Sequence, residues 1–199
     1  MSAMFKFSYG LFVLTAKENE KDNGCIINTA IQVTQEPNQV SICVNKANYT
    51  CGMIERTGEF NLSFLNQDVK FDTFQHFGFQ SGKDVDKFED YKDAERSANG
   101  LTYITRGTNA MASVKVDKVI DLGTHLMFIG KVTDEKVLND VPSVTYQYYF
   151  DHIKPAPQAT KKKGWVCRIC GYIYEGEVLP PDFICPICKH GAEDFEPLN

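Results

Sequence analysis

The sequence predicts a mainly β protein, an antiparallel barrel with a few helices, followed by a small metal-binding domain. Three observations lead to this prediction. The first 153 residues contain short β-branched and aromatic runs bounded by Gly, Asn, Asp and Pro. These runs do not alternate regularly with helices, which disfavours a doubly wound parallel sheet. Near the carboxyl end, four cysteines form two Cys-x-x-Cys pairs.

Six runs predict the strands of the larger domain: residues 11–16, 26–34, 40–44, 60–65, 112–119 and 126–132. Two helices are predicted between them, at residues 49–56 after Asn48 and at residues 69–77 after Asp68. Asn and Asp are favoured at the N-cap position, because their side chains accept hydrogen bonds from the first turn. The aromatic run at residues 146–150 is interpreted as a further strand, in the core or at a dimer interface.

A linker is predicted at residues 154–163, KPAPQATKKK, which are rich in Pro, Ala and Lys and lack an apolar period. It divides the chain into residues 1–153, the linker, and residues 164–199. The last segment carries two basic and six acidic side chains, a formal net charge of -4. We therefore expect a larger domain connected to a small acidic one.

The composition limits the possible functions. The chain has 199 residues, of which 43% are hydrophobic and 24% are charged, so it can bury a substantial core. The formal net charge is -5, which argues against general nucleic-acid binding. No apolar run reaches the length of about 18 residues typical of a membrane span, and no signal peptide is evident. We expect a cytoplasmic protein that binds neither nucleic acid nor membrane.

The paired cysteines predict a metal site. Fourteen residues separate the two pairs, and each Cys-x-x-Cys turn can direct two thiolates at one centre. Two such turns facing each other form a tetrahedral four-sulfur site, which suits zinc or iron. Paired spacing without a secretion signal favours a metal over disulfides. The predicted ligands are Cys167, Cys170, Cys185 and Cys188, whereas Cys25, Cys43 and Cys51 are expected to be buried structural thiols.

Residues 164–199 resemble a rubredoxin. The resemblance is carried by CRICGYIY at residues 167–174, by Phe183, by CPIC at residues 185–188 and by DFE at residues 194–196. It implies one iron bound by the four cysteines, cycling by one electron. The aromatic side chains expected beneath the iron are Trp165, Tyr172, Tyr174, Phe183 and Phe195. Lys189 stands where rubredoxins often have Gly, so we expect the second turn to differ slightly. A structural zinc ribbon is the alternative.

A candidate phosphate site lies in NTAIQVTQEPNQVSICVNKANYT, residues 28–50. Exposed amides, a lysine and a helix N-terminus together favour anion binding. An ordinary polar turn before a capped helix is the alternative. The larger domain contains neither the Gly-rich dinucleotide motif nor the P-loop motif.

Together with HLMFIGKV at residues 125–132, this segment resembles the flavin reductase-like split barrels that bind FMN. The resemblance implies an FMN cofactor at the interface of a homodimer and NAD(P)H as electron donor. It assigns ring contacts to Asn28, Thr29, Ala30, Ile31 and Gln32, and phosphate contacts to Asn45, Lys46, Asn48 and Thr50. The loop at residues 77–88 is similar to a family loop that crosses near the flavin. We assign no catalytic side chain.

The order of the two domains resembles that of the high-molecular-weight rubredoxins of anaerobic bacteria. This resemblance implies that electrons pass from NAD(P)H through FMN to the rubredoxin iron, and then to a flavodiiron protein that reduces nitric oxide or dioxygen. Two alternatives remain open. One is a free-flavin or ferric reductase with a rubredoxin outlet. The other is a non-enzymatic interaction module, a barrel without flavin joined to a zinc ribbon.

Overall fold

The computed structural model describes residues 3–155, 164–186 and 190–198. After a 3₁₀ turn at Ala3–Lys6, the larger domain contains nine described strands: β1 (Phe12–Glu18), β2 (Lys21–Ile27), β3 (Ile31–Thr34), β4 (Gln39–Asn45), β5 (Glu59–Leu65), β6 (Ala94–Arg96), β7 (Thr102–Ile104), β8 (Thr108–Asp121) and β9 (His125–Val137). Seven of them form an antiparallel sheet in the order β2-β1-β5-β8-β9-β4-β3, and β6 and β7 pair separately. The predicted mainly β, antiparallel class is confirmed.

The large sheet curls around a hydrophobic core. Ile27 of β2 and Val40 of β4, which lie near opposite ends of the sheet, belong to the same buried cluster. Helix α1 (Tyr49–Thr57) adds Met53 and Ile54 to this cluster, and both side chains are fully shielded from solvent. The sheet therefore closes far enough to form a barrel, with α1 packed against its interior side chains.

The long strands β8 and β9 approach each other closely. A Cβ atom at Gly130 would lie 2.4 Å from the carbonyl oxygen of Lys115, so this contact requires a glycine. The register between the strands also shifts twice, once between Ser113 and Val114 and again between Val116 and Lys118. Such bulges increase the local twist of a sheet and help it to curl.

A second hydrophobic cluster lies beside helix α2 (Phe71–Gly78). Phe74 and Phe77 of α2 pack there with Tyr149, whose ring centroid lies 4.5 Å from that of Phe74. This cluster joins α2 to the carboxyl-terminal end of the larger domain.

The aromatic run at residues 146–150 is helical, so its prediction as a strand was wrong. Tyr146–Tyr148 form one helical turn, and Tyr149–Ile153 continue as a π-helical turn. The Thr145 hydroxyl caps this segment by accepting a hydrogen bond from the Tyr148 N–H at 3.1 Å. Aromatic residues are favourable in strands, so the composition of this run predicted a strand. The segment is instead helical, and Tyr149 packs into the core.

Other element boundaries also differ from the predictions. The run at residues 26–34 forms the end of β2 and then β3, because residues 28–30 leave the strand conformation. Helix α2 begins at Phe71 with Lys70 as its N-cap, not after Asp68. The capping of α1 by Asn48 is confirmed, since its side chain accepts a hydrogen bond from the Thr50 N–H at 3.0 Å. Strands β6 and β7 were not predicted.

The carboxyl-terminal domain has three described strands, β10 (Gly164–Cys167), β11 (Ile173–Tyr174) and β12 (Phe195–Leu198), and a 3₁₀ turn at Ala192–Asp194. The strands form one sheet in the order β11-β10-β12. Cys167, Cys170, Cys185 and Phe195 are buried, and the other expected aromatic side chains pack around them: Trp165, Tyr172, Tyr174 and Phe183. The predicted aromatic core is present. Most of the predicted linker, residues 156–163, lies outside the described residues. Within the described ranges, no helix is long and apolar enough to cross a membrane.

Candidate functional site

Three cysteines of the smaller domain converge on one point. The sulfur atoms of Cys167, Cys170 and Cys185 all lie within 4.8 Å of one another, and those of Cys170 and Cys185 are 3.5 Å apart. The fourth predicted ligand, Cys188, lies outside the described residues. Three converging thiols form a soft donor set that fits iron or zinc, so the residues present suit the metal that the rubredoxin resemblance implies.

Backbone hydrogen bonds shape the turns that carry these cysteines. The Cys167 N–H donates to the Tyr172 carbonyl at 2.8 Å, and the Gly171 N–H donates to the Cys167 carbonyl at 2.8 Å. Gly171 has a φ of 80°, a left-handed conformation that is costly for other residues. The Cys185 N–H donates to the His190 carbonyl at 2.8 Å. Lys189, at which a strained turn was expected, lies outside the described residues.

A cavity of about 640 Å³ lies between the barrel and the metal-binding domain. Its volume is within the range of sites that bind small molecules and cofactors. Amide and hydroxyl side chains supply part of its wall, namely Asn28, Thr29, Asn45 and Asn48. Aromatic side chains supply another part, namely Tyr49, Phe77, Phe79, Tyr146 and Tyr149. The metal-binding domain closes the cavity with Ile169, Cys170, Pro186 and His190.

Four of the nine predicted flavin contacts line this cavity, and three of them have their side chains held in place. The Thr29 hydroxyl donates to the Cys43 carbonyl at 2.6 Å, which anchors the segment between β2 and β3 on β4. Asn45 and Asn48 accept hydrogen bonds from the N–H groups of Ala47 and Thr50, at 2.8 Å and 3.0 Å. Asn28 is the fourth. These residues place the N-terminus of α1 beside the cavity, where the positive end of the helix dipole favours an anion.

Three predicted ring contacts lie outside the cavity wall. Ala30 packs against the barrel core, and the Ile31 side chain is 64% exposed. The Gln32 amide donates to the Asn38 side chain at 2.9 Å. The resemblance implies a flavin at the interface of two chains. An exposed Ile31 on an edge strand is compatible with an interface contact, so the assignment of these three residues stays a prediction.

Two predicted phosphate contacts also lie outside the wall. The Lys46 ammonium forms an ion pair with Asp121 at 2.6 Å, and this pairing lowers the pKa of the Asp121 carboxyl. The Thr50 hydroxyl is buried and accepts a hydrogen bond from the Asn23 amide at 2.9 Å. Lys46 would have to leave Asp121 to reach a phosphate in the cavity. The assignment of Lys46 and Thr50 therefore also stays a prediction.

Lys87 is a cavity residue that sequence reasoning missed. It lies within the loop at residues 77–88, whose first six residues all line the cavity as well. Its side chain is buried, and its ammonium donates to the carbonyls of Gly24 and Phe77 at 2.8 Å and 2.9 Å. Burial lowers the pKa of Lys87. In the sequence it resembles the surface lysines around it, so no local pattern could have identified it.

His125 and Tyr146 also line the cavity. The residues present fit a flavin, because a flat aromatic ring needs apolar walls and a few directed polar groups at its edge. The loop also approaches the barrel closely: a Cβ atom at Gly82 would lie 2.1 Å from the Asn23 amide oxygen. The cavity is thus shaped by contacts that larger side chains would block.

Residues 4–157 match the family described as flavin reductase like domain. The chain belongs to this family. Residues 165–196 match a second family, described as rubrerythrin, rubredoxin-like domain. This flavin reductase-like protein therefore carries a rubredoxin-like domain at its carboxyl-terminal end.

The chain is also similar to two curated relatives and, in its larger domain, to one solved structure. It is 34% identical to the high molecular weight rubredoxin of Moorella thermoacetica, over 98% of both chains. It is also 34% identical to the ferric-chelate reductase (NAD(P)H) of Archaeoglobus fulgidus, over 75% of this chain and 88% of the relative. The fold of the larger domain is similar to that of the NADH:FAD oxidoreductase SgcE6 of Streptomyces globisporus, with a TM-score of 0.62, 22% identity and coverage of 70% and 81%.

These matches confirm several predictions made from the sequence. The chain resembles the high-molecular-weight rubredoxins over nearly its whole length, and it is an oxidoreductase of the NAD(P)H-dependent flavin reductase type. The predicted flavin and cysteine-bound iron agree with its two families and with the three converging sulfur atoms. Membership in the flavin reductase-like family argues against a non-enzymatic barrel without flavin.

Proposed function

We propose that this protein transfers electrons from NAD(P)H through FMN to a rubredoxin-type iron, and then to a separate acceptor protein. The observation that supports this proposal most strongly is the composition of the cavity wall. Asn28, Thr29, Asn45 and Asn48 of the barrel and Cys170 of the metal-binding domain line the same cavity. A flavin bound there would lie next to a ligand of the iron.

The chemistry of the two cofactors motivates their combination in one chain. A bound flavin accepts two electrons as a hydride, and an iron in four thiolates takes one electron at a time. The chain's own residues supply binding, orientation and shielding from water. Asn48 and the N-terminus of α1 would bind the FMN phosphate, and the buried Lys87 would place a positive charge near the ring.

NAD(P)H is the proposed donor because the relative from Archaeoglobus fulgidus is named as an NAD(P)H-dependent reductase. A flavodiiron protein is the proposed acceptor. The segment at residues 164–199 has a formal net charge of -4, which favours an acceptor with a basic docking surface. A homodimer, a cytoplasmic location and the division into residues 1–153, 154–163 and 164–199 belong to the same proposal.

The experiment is a rapid-mixing measurement on the full-length protein without oxygen. NADH or NADPH is mixed with iron-loaded protein, once with FMN bound and once after FMN removal, and the iron absorption is followed. We expect the iron to be reduced rapidly with FMN, slowly without it, and rapidly again after FMN is restored. Rapid iron reduction in the flavin-free protein would contradict the proposal.

A second candidate function is the reduction of free flavin or ferric chelates, with the rubredoxin-like domain as another outlet. The 34% identity to the ferric-chelate reductase of Archaeoglobus fulgidus favours it. Turnover with ferric chelate or free FMN should be compared with turnover in the presence of a flavodiiron protein. If removal of the iron leaves NAD(P)H-dependent reduction of the chelate unchanged and the flavodiiron protein accepts no electrons, the second candidate is correct.

A further inference from the structure

The metal-binding domain docks on the barrel by one particular edge of its cysteine cluster. Cys167 and Cys185 are 0% exposed, whereas Cys170 is 6% exposed and lines the cavity. Ile169, which precedes Cys170, lines the cavity as well. Among the three described ligands, Cys170 is therefore the one through which the metal centre faces the predicted flavin site.

Lys154 holds this edge in position from the barrel side. Its ammonium donates hydrogen bonds to the carbonyls of Arg168 and Ile169, at 2.7 Å and 3.1 Å. These are the two residues between Cys167 and Cys170. The backbone N–H of Lys154 donates to the Tyr149 carbonyl at 2.8 Å. This hydrogen bond fixes the backbone of the lysine at the end of the π-helical turn. The ammonium also lies 4.9 Å from the centroid of the Phe150 ring, which favours a cation over its face.

Phe79 supplies an apolar contact to the same docking surface. It follows α2 in the larger domain, yet its side chain packs against the hydrophobic cluster formed around the cysteines. Its ring lies edge-on to Phe71, with centroids 5.7 Å apart, so the barrel side holds it in place. Lys154, the first residue of the predicted linker, and Phe79 of the larger domain thus contact the metal-binding domain from two separate segments of the chain.

We infer that the Cys170 edge of the metal centre is where the iron receives electrons, and that Lys154 positions this edge at the flavin cavity. This inference rests on the proposed function. In the step concerned, one electron passes from the reduced flavin to ferric iron, which becomes ferrous, and no bond to the cysteines forms or breaks. Because each NAD(P)H would deliver two electrons as a hydride and the iron holds one, the iron would pass the first electron to the acceptor protein before taking the second, and the oxidised flavin would release the proton to solvent. Lys154 is a positioning residue, since it acts through the Cys167–Cys170 turn.

Flavin emission can test this docking without turnover. Ferric thiolate centres absorb visible light, so a docked iron quenches a nearby flavin, whereas zinc does not. The emission of FMN bound to the full-length protein is compared between the iron-loaded and zinc-loaded forms. Lys154→Met retains most of the side-chain stem and removes the cation, Lys154→Arg retains a cation, and Lys92→Met alters an exposed lysine elsewhere as the matched control.

We expect Lys154→Met to restore much of the emission of the iron form and to leave the zinc form unchanged. The rate constant for electron transfer from flavin to iron should fall by at least about tenfold, because hydrogen bonds from a charged donor are lost. In Lys154→Arg, the flavin emission and the transfer rate constant should both be close to the wild-type values. In Lys92→Met, both should equal the wild-type values.

Wild-type emission and an unchanged transfer rate in Lys154→Met would overturn this inference and leave the proposed relay intact. Failure of NAD(P)H to reduce the iron through FMN in the wild-type protein would instead overturn the relay itself. The emission readout separates the two, because it reports the proximity of the centres even when no electron passes between them.

Discussion

Individual cysteines differ in their ability to bind metal because their surroundings differ. Burial raises the pKa of the Cys25 and Cys43 thiols, and it raises the pKa of Cys51 to about 11. These three side chains therefore remain neutral thiols near pH 7, and neutral thiols are poor metal ligands. The Cys51 thiol also interacts with the Val44 carbonyl inside the barrel.

The metal ligands can be tested by single substitutions to Ser. We expect loss or a strong shift of the iron absorption when Cys167, Cys170 or Cys185 is changed, and the same result for the predicted ligand Cys188. A serine oxygen is a harder donor and suits a soft four-sulfur site poorly. FMN should stay bound, as its own absorption would show. Cys43→Ser is the matched control, and loss of iron in that variant would contradict the assignment of the site.

Lys46 and Asp121 form an exposed ion pair that can test the predicted phosphate contact. If Lys46 binds the FMN phosphate, Lys46→Ala should weaken FMN binding by roughly tenfold, since a charge-assisted hydrogen bond is lost. Asp121→Asn should leave FMN affinity unchanged or raise it, because the lysine loses a competing partner. Equilibrium titration of flavin-free protein measures both effects. Equal affinities in all three proteins would remove Lys46 from the site.

Among the elements, the contact between β8 and β9 determines how the barrel curls. The two strands shift register twice, and the glycine at position 130 allows β9 to pass the Lys115 carbonyl. Helix α1 depends on a different feature, since its N-cap Asn48 and its C-cap Gly58 satisfy backbone groups at both ends. Gly58 has a φ of 72°, which explains why a glycine ends this helix.

Gly130→Ala should destabilise the barrel by about 2 kcal/mol or more, because the new methyl group meets backbone atoms that cannot move independently. Gly52→Ala, within α1, is the matched control. There the added methyl group meets only the end of the flexible Arg56 side chain, and alanine is more favourable than glycine in a helix. We therefore expect the free energy of unfolding to stay nearly unchanged or to rise by up to about 1 kcal/mol. Denaturant unfolding of both variants measures the difference. A neutral Gly130→Ala would show that β9 can shift away from β8.

The whole molecule brings two domains together at one cavity, and a basic segment connects them. The residues at 164–199 carry a formal net charge of -4, whereas residues 154–163 carry four lysines. Lys154, the first of these, contacts the metal-binding domain directly. The Cys170 edge faces the cavity. An external acceptor must therefore either approach the acidic domain on a different side or bind at a time when the Cys170 edge is exposed.

Electron transfer from the iron to the acceptor should slow as salt is added. Long-range attraction between an acidic domain and a basic surface is screened over about 10 Å at 0.1 M salt. Transfer from flavin to iron within one molecule should change much less, because the two domains are already in contact. Rapid-mixing measurements of both steps over a range of salt concentrations test this prediction. Transfer to the acceptor that is independent of salt would remove the electrostatic docking argument.

The sequence by itself predicted a small domain with a four-cysteine metal site, and the three of these cysteines that the structure describes converge on one point. Cys-x-x-Cys spacing is a local property, so two pairs predict one site without knowledge of the fold. The same holds for the N-cap of α1, since Asn48 precedes the helix that it caps. The prediction of a strand at residues 146–150 was wrong, because strands and buried helical turns can both be rich in aromatic residues and composition alone does not distinguish them.

Only the tertiary structure decided which residues share the cavity. Lys87 is buried there because α2 and the end of β2 bring the carbonyls of Phe77 and Gly24 to its ammonium, and neither contact has a local signature. Cys170 reaches the same wall because Lys154 holds the adjacent carbonyls. Contacts between residues distant in sequence depend on how complete domains pack, so the spacing of residues along the chain does not predict them.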